Sequence, residues 1–352
     1  MSPGQTGSLG RRELLAALAA SAGVGVHPTA ATTAAPQAGT ALRVVDFHCH
    51  YVGPSFAVSA GAGAPAAQRG YWQEVNRRLS DPGALLASIE AAGIVARVIN
   101  TPTAFIQDAD GEVALGTVAR INDQLAELVS RHPGRLHGLA TVDAYGGEAG
   151  ARELVRAVRE LGLRGAFVES AKKDLLLDAP AARPTLAAAA ELGVPVFVHP
   201  INDAVLDRRF VRYGRLGVQL ARGTVNAAAL VALLESGTFD ELPNLRVVVT
   251  TLAIGGVLLA GGFGDGRLRA DAPALTRRHV YIDTMRLDPV MIRTAVDLLG
   301  ADHVLAGTDW PIFVEASVPS RLQAALAACN LDAAQQQMVA GGNTLRLLGV
   351  TG

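Results

Sequence analysis

From Ala41 onward, short runs of β-branched and other apolar residues alternate with longer stretches of helical spacing rich in Ala, Leu, Glu and Arg. Strands that alternate with helices favour parallel pairing, because each crossover back to the same edge needs a dozen or more residues. Eight such repeats predict an α/β fold, a closed (β/α)8 TIM-like barrel forming a single domain over residues 41–352. The predicted strands are Arg43–Phe47, Ala96–Asn100, Leu136–Val142, Gly165–Val168, Val194–Val198, Arg246–Thr250, Val280–Asp283 and Val304–Gly307, and the predicted helices include Pro82–Ala92, Glu112–Arg131, Glu148–Leu161, Ala181–Leu192, Thr224–Glu235 and Pro289–Leu299.

Composition excludes several other classes of protein. With 352 residues, 50% of them hydrophobic, the chain can bury one large core. A formal net charge of -1 and the lack of a long basic run argue against a nucleic-acid partner. Cys49 and Cys329 are too few for a disulfide framework. The apolar runs beyond residue 40 are of strand length or are broken by Gly and charge, so no membrane span is expected.

The first forty residues differ in kind from the rest. Arg11 and Arg12 precede a short apolar stretch, Leu14–Val26, and an Ala/Thr/Pro-rich stretch, Pro28–Thr40, follows it. This order resembles a twin-arginine export signal with a flexible spacer, so residues 1–40 are predicted to be a leader and the mature protein periplasmic or extracellular. The alternative is a disordered N-terminal tail or a wrongly assigned start of the sequence, in either case with a cytoplasmic protein.

Four side chains at predicted strand ends point to a metal centre. His48 and His50 lie two residues apart at the end of the first strand, so they face one side while Cys49 packs behind them. His199 and Asp309 follow the fifth and eighth strands, whose carboxyl ends meet the first at the barrel mouth. Imidazole and carboxylate suit one divalent ion, with zinc expected and manganese as the alternative.

Other residues near the mouth are candidates for substrate binding or support. Arg286 could bind a substrate carboxylate, the alternative being a salt bridge at a helix entry. Trp310 could wall the pocket, the alternative being a packing role. Asp46 is expected to share the face of His48 at a deeper level and to support a metal ligand or have a structural role, rather than bind the ion.

Two segments after strands are long enough to help form a lid, namely Tyr51–Ser80 and Asn202–Arg222, and the alternative for each is an ordinary surface loop. The remaining histidines of the predicted barrel do not lie at the mouth. They are expected to be surface or capping residues: His132, His137, His279 and His303.

Three motifs in this order carry a family resemblance. They are Asp46-x-His48-x-His50, Pro195–Pro200 and Gly307–Pro311, supported by Phe239–Arg246 and Tyr281–Thr284. Together they resemble the amidohydrolase superfamily, and within it the branch of aminocarboxymuconate-semialdehyde decarboxylase and the benzoate-type decarboxylases. The resemblance implies a metal-dependent enzyme, a small carboxylate-bearing substrate and a homodimer.

The chain departs from the family pattern at one catalytic position. Family members carry a histidine at the end of the sixth strand, where this sequence has Thr251. A threonine hydroxyl can orient a water or a substrate oxygen, but it does not titrate near neutrality. The expected catalytic residues are therefore Thr251 and Asp309, with Asp309 binding the ion and also moving a proton. Glu169 occupies the strand that supplies a bridging lysine in binuclear relatives, so one ion is expected, with Glu169 as a substrate or supporting contact.

Three functional interpretations remain open from the sequence. The first is non-oxidative decarboxylation of a small cyclic or unsaturated carboxylic acid, as in the branch that the chain resembles. The second is hydrolysis of a lactone, ester or amide by metal-activated water. The third is a metal-binding barrel that has lost turnover, which the presence of all four expected ligands argues against.

Overall fold

The computed structural model describes residues 41–62, 64, 66–107, 113, 116–263 and 271–350. The segment from Ala41 onward forms one compact unit of alternating strands and helices. The predicted leader, residues 1–40, lies outside the described residues.

The strands and helices occupy the predicted order. Several predicted bounds are reproduced without change, including those of the helix Pro82–Ala92 and the strand Ala96–Asn100. The strands are β1 Val45–His50, β2 Ala96–Asn100, β3 Leu136–Gly138, β4 Ala140–Thr141, β5 Ala166–Glu169, β6 Ala171–Lys172, β7 Leu175–Leu176, β8 Pro195–His199, β9 Arg246–Val249, β10 Val280–Asp283 and β11 Val304–Leu305. The helices are α1 Arg69–Ser80, α2 Pro82–Ala92, α3 Thr117–Arg131, α4 Glu148–Arg159, α5 Arg183–Leu192, α6 Ala204–Phe210, α7 Gly214–Glu235, α8 Thr238–Glu241, α9 Ile254–Phe263, α10 Ala272–His279, α11 Pro289–Leu299, α12 Val318–Ala327, α13 Ala333–Gln337 and α14 Asn343–Leu347.

The parallel strands form two sheets that backbone hydrogen bonds join into a ring. One sheet has the order β1-β2-β3 and the other β4-β5-β8-β9-β10-β11. Leu139, the only residue between β3 and β4, donates its N–H to the Ile99 carbonyl. At the opposite edges, the Asp309 N–H donates to the His48 carbonyl at 2.8 Å. This arrangement is consistent with a TIM barrel, and its closure brings the first and eighth predicted strands together.

Apolar side chains from around the ring fill the barrel interior. The ring centroids of Phe47 and Phe197 are 5.2 Å apart, and those of Phe167 and Phe197 are 5.6 Å apart, in edge-to-face geometry. Burying each such side chain contributes about 1.5–3 kcal/mol, so these rings stabilise the floor of the barrel beneath the mouth. The buried members of this interior cluster are Val45, Phe47, Ala96, Val98, Leu139, Phe167, Phe197, Val248, Leu305, Leu347 and Leu348.

A register shift in β1 determines which of its side chains reach the mouth. The pairing of β1 with β2 shifts between Asp46 and Cys49, as a β-bulge does. Phe47 packs in the interior cluster, whereas Asp46 faces the helix layer and forms a buried ion pair with Arg97 of β2. The prediction that Asp46 shares the face of His48 is therefore wrong, because the bulge interrupts the alternation on which it relied.

The two segments considered as lids are largely helical. Tyr51–Ser80 contains α1, and Asn202–Arg222 contains α6 and the first turns of α7. Among the described residues, one helical stretch, 204–235, is long and apolar enough by length and composition to cross a membrane. The α7 part of this stretch buries Leu230 and Leu233 in the cluster between helices and barrel.

Candidate metal centre

The four predicted metal ligands lie together at the carboxyl end of the barrel. One ligand atom from each of His48, His50 and His199 lies within 4.8 Å of the others, and all three residues are buried. The Asp309 carboxylate completes the set, with Oδ1 3.4 Å from His48 Nε2 and 3.2 Å from His50 Nε2. Residues separated by about 260 positions along the chain thus converge, because closure of the ring places β1 beside the end of β11.

Hydrogen bonds at the outer ring nitrogens fix the tautomers of two imidazoles. His48 Nδ1 lies 2.6 Å from Asp283 Oδ2, and His50 Nδ1 lies 2.7 Å from Asn100 Oδ1. Because each partner is an oxygen acceptor, we assign the proton of each neutral ring to Nδ1. Each Nε2 then directs a lone pair into the site.

The resulting donor set fits a divalent cation. His48 Nε2 and His50 Nε2 are only 3.2 Å apart, and the Asp309 carboxylate oxygen lies beside both. When both rings are neutral and in the assigned tautomers, neither Nε2 carries a proton, so two lone pairs and an anionic oxygen face one point, where a positive charge stabilises all three. Neutral imidazole held by an outer oxygen acceptor is the usual form of a metal-binding histidine.

Burial keeps most of this histidine cluster neutral. It lowers the pKa of His50, and it lowers the pKa of His199 well below the ordinary value, with the charges of His50 and Arg222 acting in the same direction. At His48 burial also lowers the pKa, but the charges of Asp309 and Asp283 outweigh it and raise the pKa above its ordinary value. His50 and His199 are therefore in the form that binds metals near neutral pH.

Sequence reasoning gave no role at the site to Asp283 or Asn100. Asp283 accepts a hydrogen bond from His48 and two more, both at 3.0 Å, from the N–H groups of Thr251 and Met285. Both missed residues are buried polar side chains at the carboxyl end of a barrel strand. That position was the signal available from the sequence, since such strand ends face the active site in this architecture.

Thr251 reaches the site through its backbone. It begins a short 3-10 helix, Thr251–Ala253, separated by one residue from the end of β9, and its side chain is buried. Its N–H donates to the same carboxylate that holds His48. Thr251 thus helps to orient Asp283 and, through it, the His48 imidazole.

Two residues considered for substrate binding are engaged in other contacts. Trp310 is 2% exposed, packs in the cluster between helices and barrel, and has the Arg97 guanidinium carbon 5.3 Å from its ring centroid. The side chain of Arg286 is 52% exposed, with Nη1 3.1 Å from Glu315 Oε1, and its guanidinium lies over Phe313. In the structure Trp310 is therefore a packing residue and Arg286 forms a salt bridge, which are the alternatives considered for them from the sequence.

Glu169 lies at the mouth beside the histidine cluster. It ends β5 and pairs in register with His199 of β8. Its carboxylate accepts hydrogen bonds from the Thr103 hydroxyl and from the Ala104 N–H, the latter at 3.1 Å. Burial raises its pKa, and the Thr103 hydrogen bond opposes this effect. The structure thus brings Glu169 close to the centre without making it a partner of the clustered imidazoles.

The expectation that the other histidines are surface or capping residues is wrong for two of them. His137 and His279 are 9% and 1% exposed. His279 Nδ1 lies 2.7 Å from the Leu245 carbonyl oxygen, and its ring stacks on Phe239 at a centroid distance of 4.5 Å. An imidazole whose donor is satisfied by a backbone carbonyl can be buried like a small aromatic ring, which the sequence position does not reveal.

Comparisons with known proteins agree with this geometry. Relatives include 2-amino-3-carboxymuconate-6-semialdehyde decarboxylase of Dictyostelium discoideum, 27% identical over 295 residues that cover 80% of each chain. Another is gamma-resorcylate decarboxylase of Rhodococcus jostii, 30% identical over 277 residues, which cover 68% of this chain and 80% of the relative. Both of these relatives are named as decarboxylases, and each is matched over 80% of its own length.

Solved structures show the same fold. A 2,6-dihydroxybenzoate decarboxylase complexed with 2,6-dihydroxybenzoate matches with a TM-score of 0.74 and 23% identity, covering 88% of this chain and all of that one. A dihydroxybenzoic acid decarboxylase from Polaromonas sp., with bound manganese and the inhibitor 2-nitroresorcinol, also has a TM-score of 0.74 and 23% identity, covering 87% of this chain and 96% of that one. The sequence profile described as "Amidohydrolase" matches residues 45–350. The match extends over nearly all of the predicted barrel, so the chain belongs to the amidohydrolase family.

Proposed function

We propose that this protein is a metal-dependent, non-oxidative decarboxylase of a small aromatic or unsaturated carboxylic acid. The observation that carries the proposal is the convergence of the His48 and His50 lone pairs with the Asp309 carboxylate. The decarboxylase names of the relatives select this reaction from those that such a centre can support.

Four side chains would hold the ion, namely His48, His50, His199 and Asp309. Once bound, the ion supplies a positive charge that orients and polarises substrate oxygen atoms. In the reaction the bond between the substrate carbon and its carboxyl carbon breaks, releasing carbon dioxide, and a bond between that substrate carbon and a proton forms. Asp309 would bind the ion through one carboxylate oxygen and carry this proton with the other, which partly replaces the histidine that the resemblance implies at position 251. Thr251 and Asp283 keep His48 in the required orientation.

For the ion we propose zinc, with manganese as the alternative. Three imidazoles and one carboxylate suit zinc, and they also suit other divalent ions of the first transition row. Manganese is the ion bound in the Polaromonas structure. Metal content of the purified protein, measured by mass spectrometry, decides between them.

The test combines metal content with release of carbon dioxide from 2,6-dihydroxybenzoate. We expect about one equivalent of a divalent ion and metal-dependent carbon dioxide release in the unchanged protein. His199→Ala should lose both while remaining folded. His132→Ala replaces a histidine far from the centre, at the end of α3, and should keep both. Metal-dependent hydrolysis of lactones without decarboxylation of any aromatic or unsaturated acid would contradict the proposal.

For the chain before the barrel, we propose export by a twin-arginine signal, which gives a periplasmic or extracellular mature protein. The support is the order Arg11-Arg12, apolar stretch and Ala/Thr/Pro-rich spacer in residues 1–40. Fusion of residues 1–40 to a folded reporter tests this, with Arg11→Lys/Arg12→Lys as the variant that should stay in the cytoplasm. The homodimer expected from the resemblance stays a prediction, which light scattering of the purified protein measures.

A further inference from the structure

Helix α7 is held tightly against the strand ends that carry the metal centre. Asn226 Nδ2 donates to the Val198 carbonyl at 3.0 Å, and its Oδ1 accepts from the Thr250 N–H at 3.2 Å and hydroxyl at 2.8 Å. At Gly223 the helix approaches so closely that a Cβ atom would lie 2.8 Å from the Leu252 carbonyl oxygen. This part of α7 therefore has a fixed position over the ends of β8 and β9.

Arg222 is the residue that this arrangement directs toward the mouth. It precedes Asn226 by four residues, so both lie on one face of α7, with Arg222 one turn nearer the start of the helix. Because α7 follows the carboxyl end of β8, that turn is the one nearer the mouth. The Arg222 guanidinium is anchored there, since Nη1 donates to Asn202 Oδ1 at 2.8 Å, in the loop that follows His199.

The charges around Arg222 belong to the same site. Burial lowers its pKa, and the charges of Asp309, Glu169 and Asp207 oppose that effect. Arg222 in turn contributes, after burial and His50, to the lowered pKa of His199. The guanidinium is thus electrostatically coupled to the centre.

Arg222 differs from the other arginines near the site in its pairing. Arg97 pairs with Asp46, and Arg286 pairs with Glu315. Within the part of the chain that the structure describes, no carboxylate lies within 4.0 Å of Arg222. A partly buried guanidinium without a carboxylate partner gains one when a ligand brings it.

We propose that Arg222 binds the carboxylate of the substrate at the mouth of the metal centre. The proposal rests on the proposed decarboxylase function for the identity of the ligand, an aromatic or unsaturated carboxylic acid. A guanidinium presents its N–H groups as a planar fork that matches a carboxylate, which a lysine ammonium does not. This assigns to a residue of α7 the role that the sequence had suggested for Arg286, in the loop after β10.

The chemistry determines which kinetic constant Arg222 affects. The carboxylate loses its charge as carbon dioxide leaves, so the contact with Arg222 is stronger in the bound acid than in the transition state. Such an interaction lowers KM without raising kcat. Arg222 is therefore a substrate-binding residue, and its loss raises KM with kcat maintained or increased.

The test compares two ligands on metal-loaded protein by calorimetry. Benzoate has a carboxylate but lacks the ring hydroxyl groups that assist ring protonation, and resorcinol has the hydroxyl groups but no carboxylate. Arg222→Gln should raise the Kd of benzoate at least about tenfold, the loss expected for a charge-assisted hydrogen bond. The Kd of resorcinol should change less than about twofold, and Arg222→Lys should recover part of the benzoate affinity. Arg208→Gln removes an exposed arginine of α6 and should change neither constant. Circular dichroism confirms that each variant is folded.

The outcomes separate this inference from the proposed function. Equal loss of benzoate and resorcinol affinity in Arg222→Gln, or no loss of either, overturns the inference. It is also overturned if the unchanged protein binds no benzoate. If benzoate binding depends on Arg222 but no aromatic or unsaturated acid releases carbon dioxide, the inference stands and the proposed reaction is wrong.

Discussion

Replacing Asp283 by asparagine tests the lone-pair geometry on which the metal centre depends. Asp283 Oδ2 accepts from His48 Nδ1 at 2.6 Å, and Oδ1 accepts from the N–H groups of Thr251 and Met285, both at 3.0 Å. The side chain is fully buried, so no water replaces a lost partner at low cost. Asparagine has nearly the same shape, but one of its two terminal atoms is a donor.

Neither orientation of an asparagine satisfies all three partners. If its NH2 group faces His48, Nδ1 must become an acceptor, which moves the ring proton to Nε2 and into the metal centre. If its oxygen faces His48 instead, the NH2 group meets the N–H groups of Thr251 and Met285, donor against donor. The first orientation disturbs a single partner, so we expect it to prevail and to remove the His48 lone pair from the ion.

The expected effect on metal affinity is large enough to measure directly. Loss of a carboxylate that holds a metal-binding histidine lowers metal affinity by about 10- to 100-fold, which corresponds to about 1.4–2.8 kcal/mol. Competition with a chelator of known affinity measures the change. The matched control is Asp288→Asn, because exposed Asp288 caps α11 by accepting from the Met291 N–H, and asparagine caps equally well. A folded Asp283→Asn protein whose affinity stays within about threefold of the unchanged protein would refute the assigned tautomer.

Three further predictions concern stability. Asp46→Ala leaves Arg97 buried without its partner and should lower the free energy of unfolding by about 3–5 kcal/mol, while the folded protein still binds metal. Loss of metal from the folded variant would instead indicate that Asp46 is a metal ligand. Gly223→Ala should destabilise the protein by about 1–3 kcal/mol, because the added methyl group meets the Leu252 carbonyl. Gly255 has open space around it, so Gly255→Ala should be neutral or stabilising by up to about 1 kcal/mol. Equal denaturant midpoints for the two variants would contradict the close packing of α7. Burial lowers the pKa of His279, so as the pH falls below about 6.5 the unfolded chain binds this proton before the folded protein does. The free energy of unfolding should therefore fall by up to about 1.4 kcal/mol per pH unit more than in His279→Gln. Parallel curves of unfolding free energy for the two proteins from about pH 7.5 to about pH 5.5 would exclude this contribution.

The metal centre could be predicted from the sequence because it depends on a simple rule of topology. Side chains at the carboxyl ends of parallel strands meet at one edge, so His50, His199 and Asp309 could be grouped without knowing any distance. A strand bound could be in error by three residues without changing this result. The predicted first strand ends at Phe47, for example, and the observed β1 extends to His50.

The supporting residues could not be predicted in the same way. The orientation of Asp46 is reversed by a bulge within β1, and a bulge leaves no reliable mark in one sequence. Trp310 follows Asp309 directly, yet its side chain does not face the mouth. Its backbone pairs with Cys49 of β1, and both side chains pack in the cluster between helices and barrel. The place of Arg222 depends on how closely α7 approaches the strand ends, which is set by Gly223 and Asn226 together. Such contacts between distant segments have no periodic signal.

Three residues at the mouth have strained backbone conformations, and the strain at Asp309 helps to explain the geometry of the metal centre. Asp309 has a φ of 62°, and Arg286 and Leu287, in the loop after β10, have φ values of 73° and 54°. Such conformations cost about 1–3 kcal/mol each and persist only when surrounding contacts enforce them. For Asp309 this turn lets its N–H donate to the His48 carbonyl while its carboxylate lies between the imidazoles. The interior phenylalanines lie deeper in the barrel, and their burial provides stability that can offset this cost. The centre is thus held by strained loops on a rigid floor, and substitutions at the floor should change stability before they change chemistry.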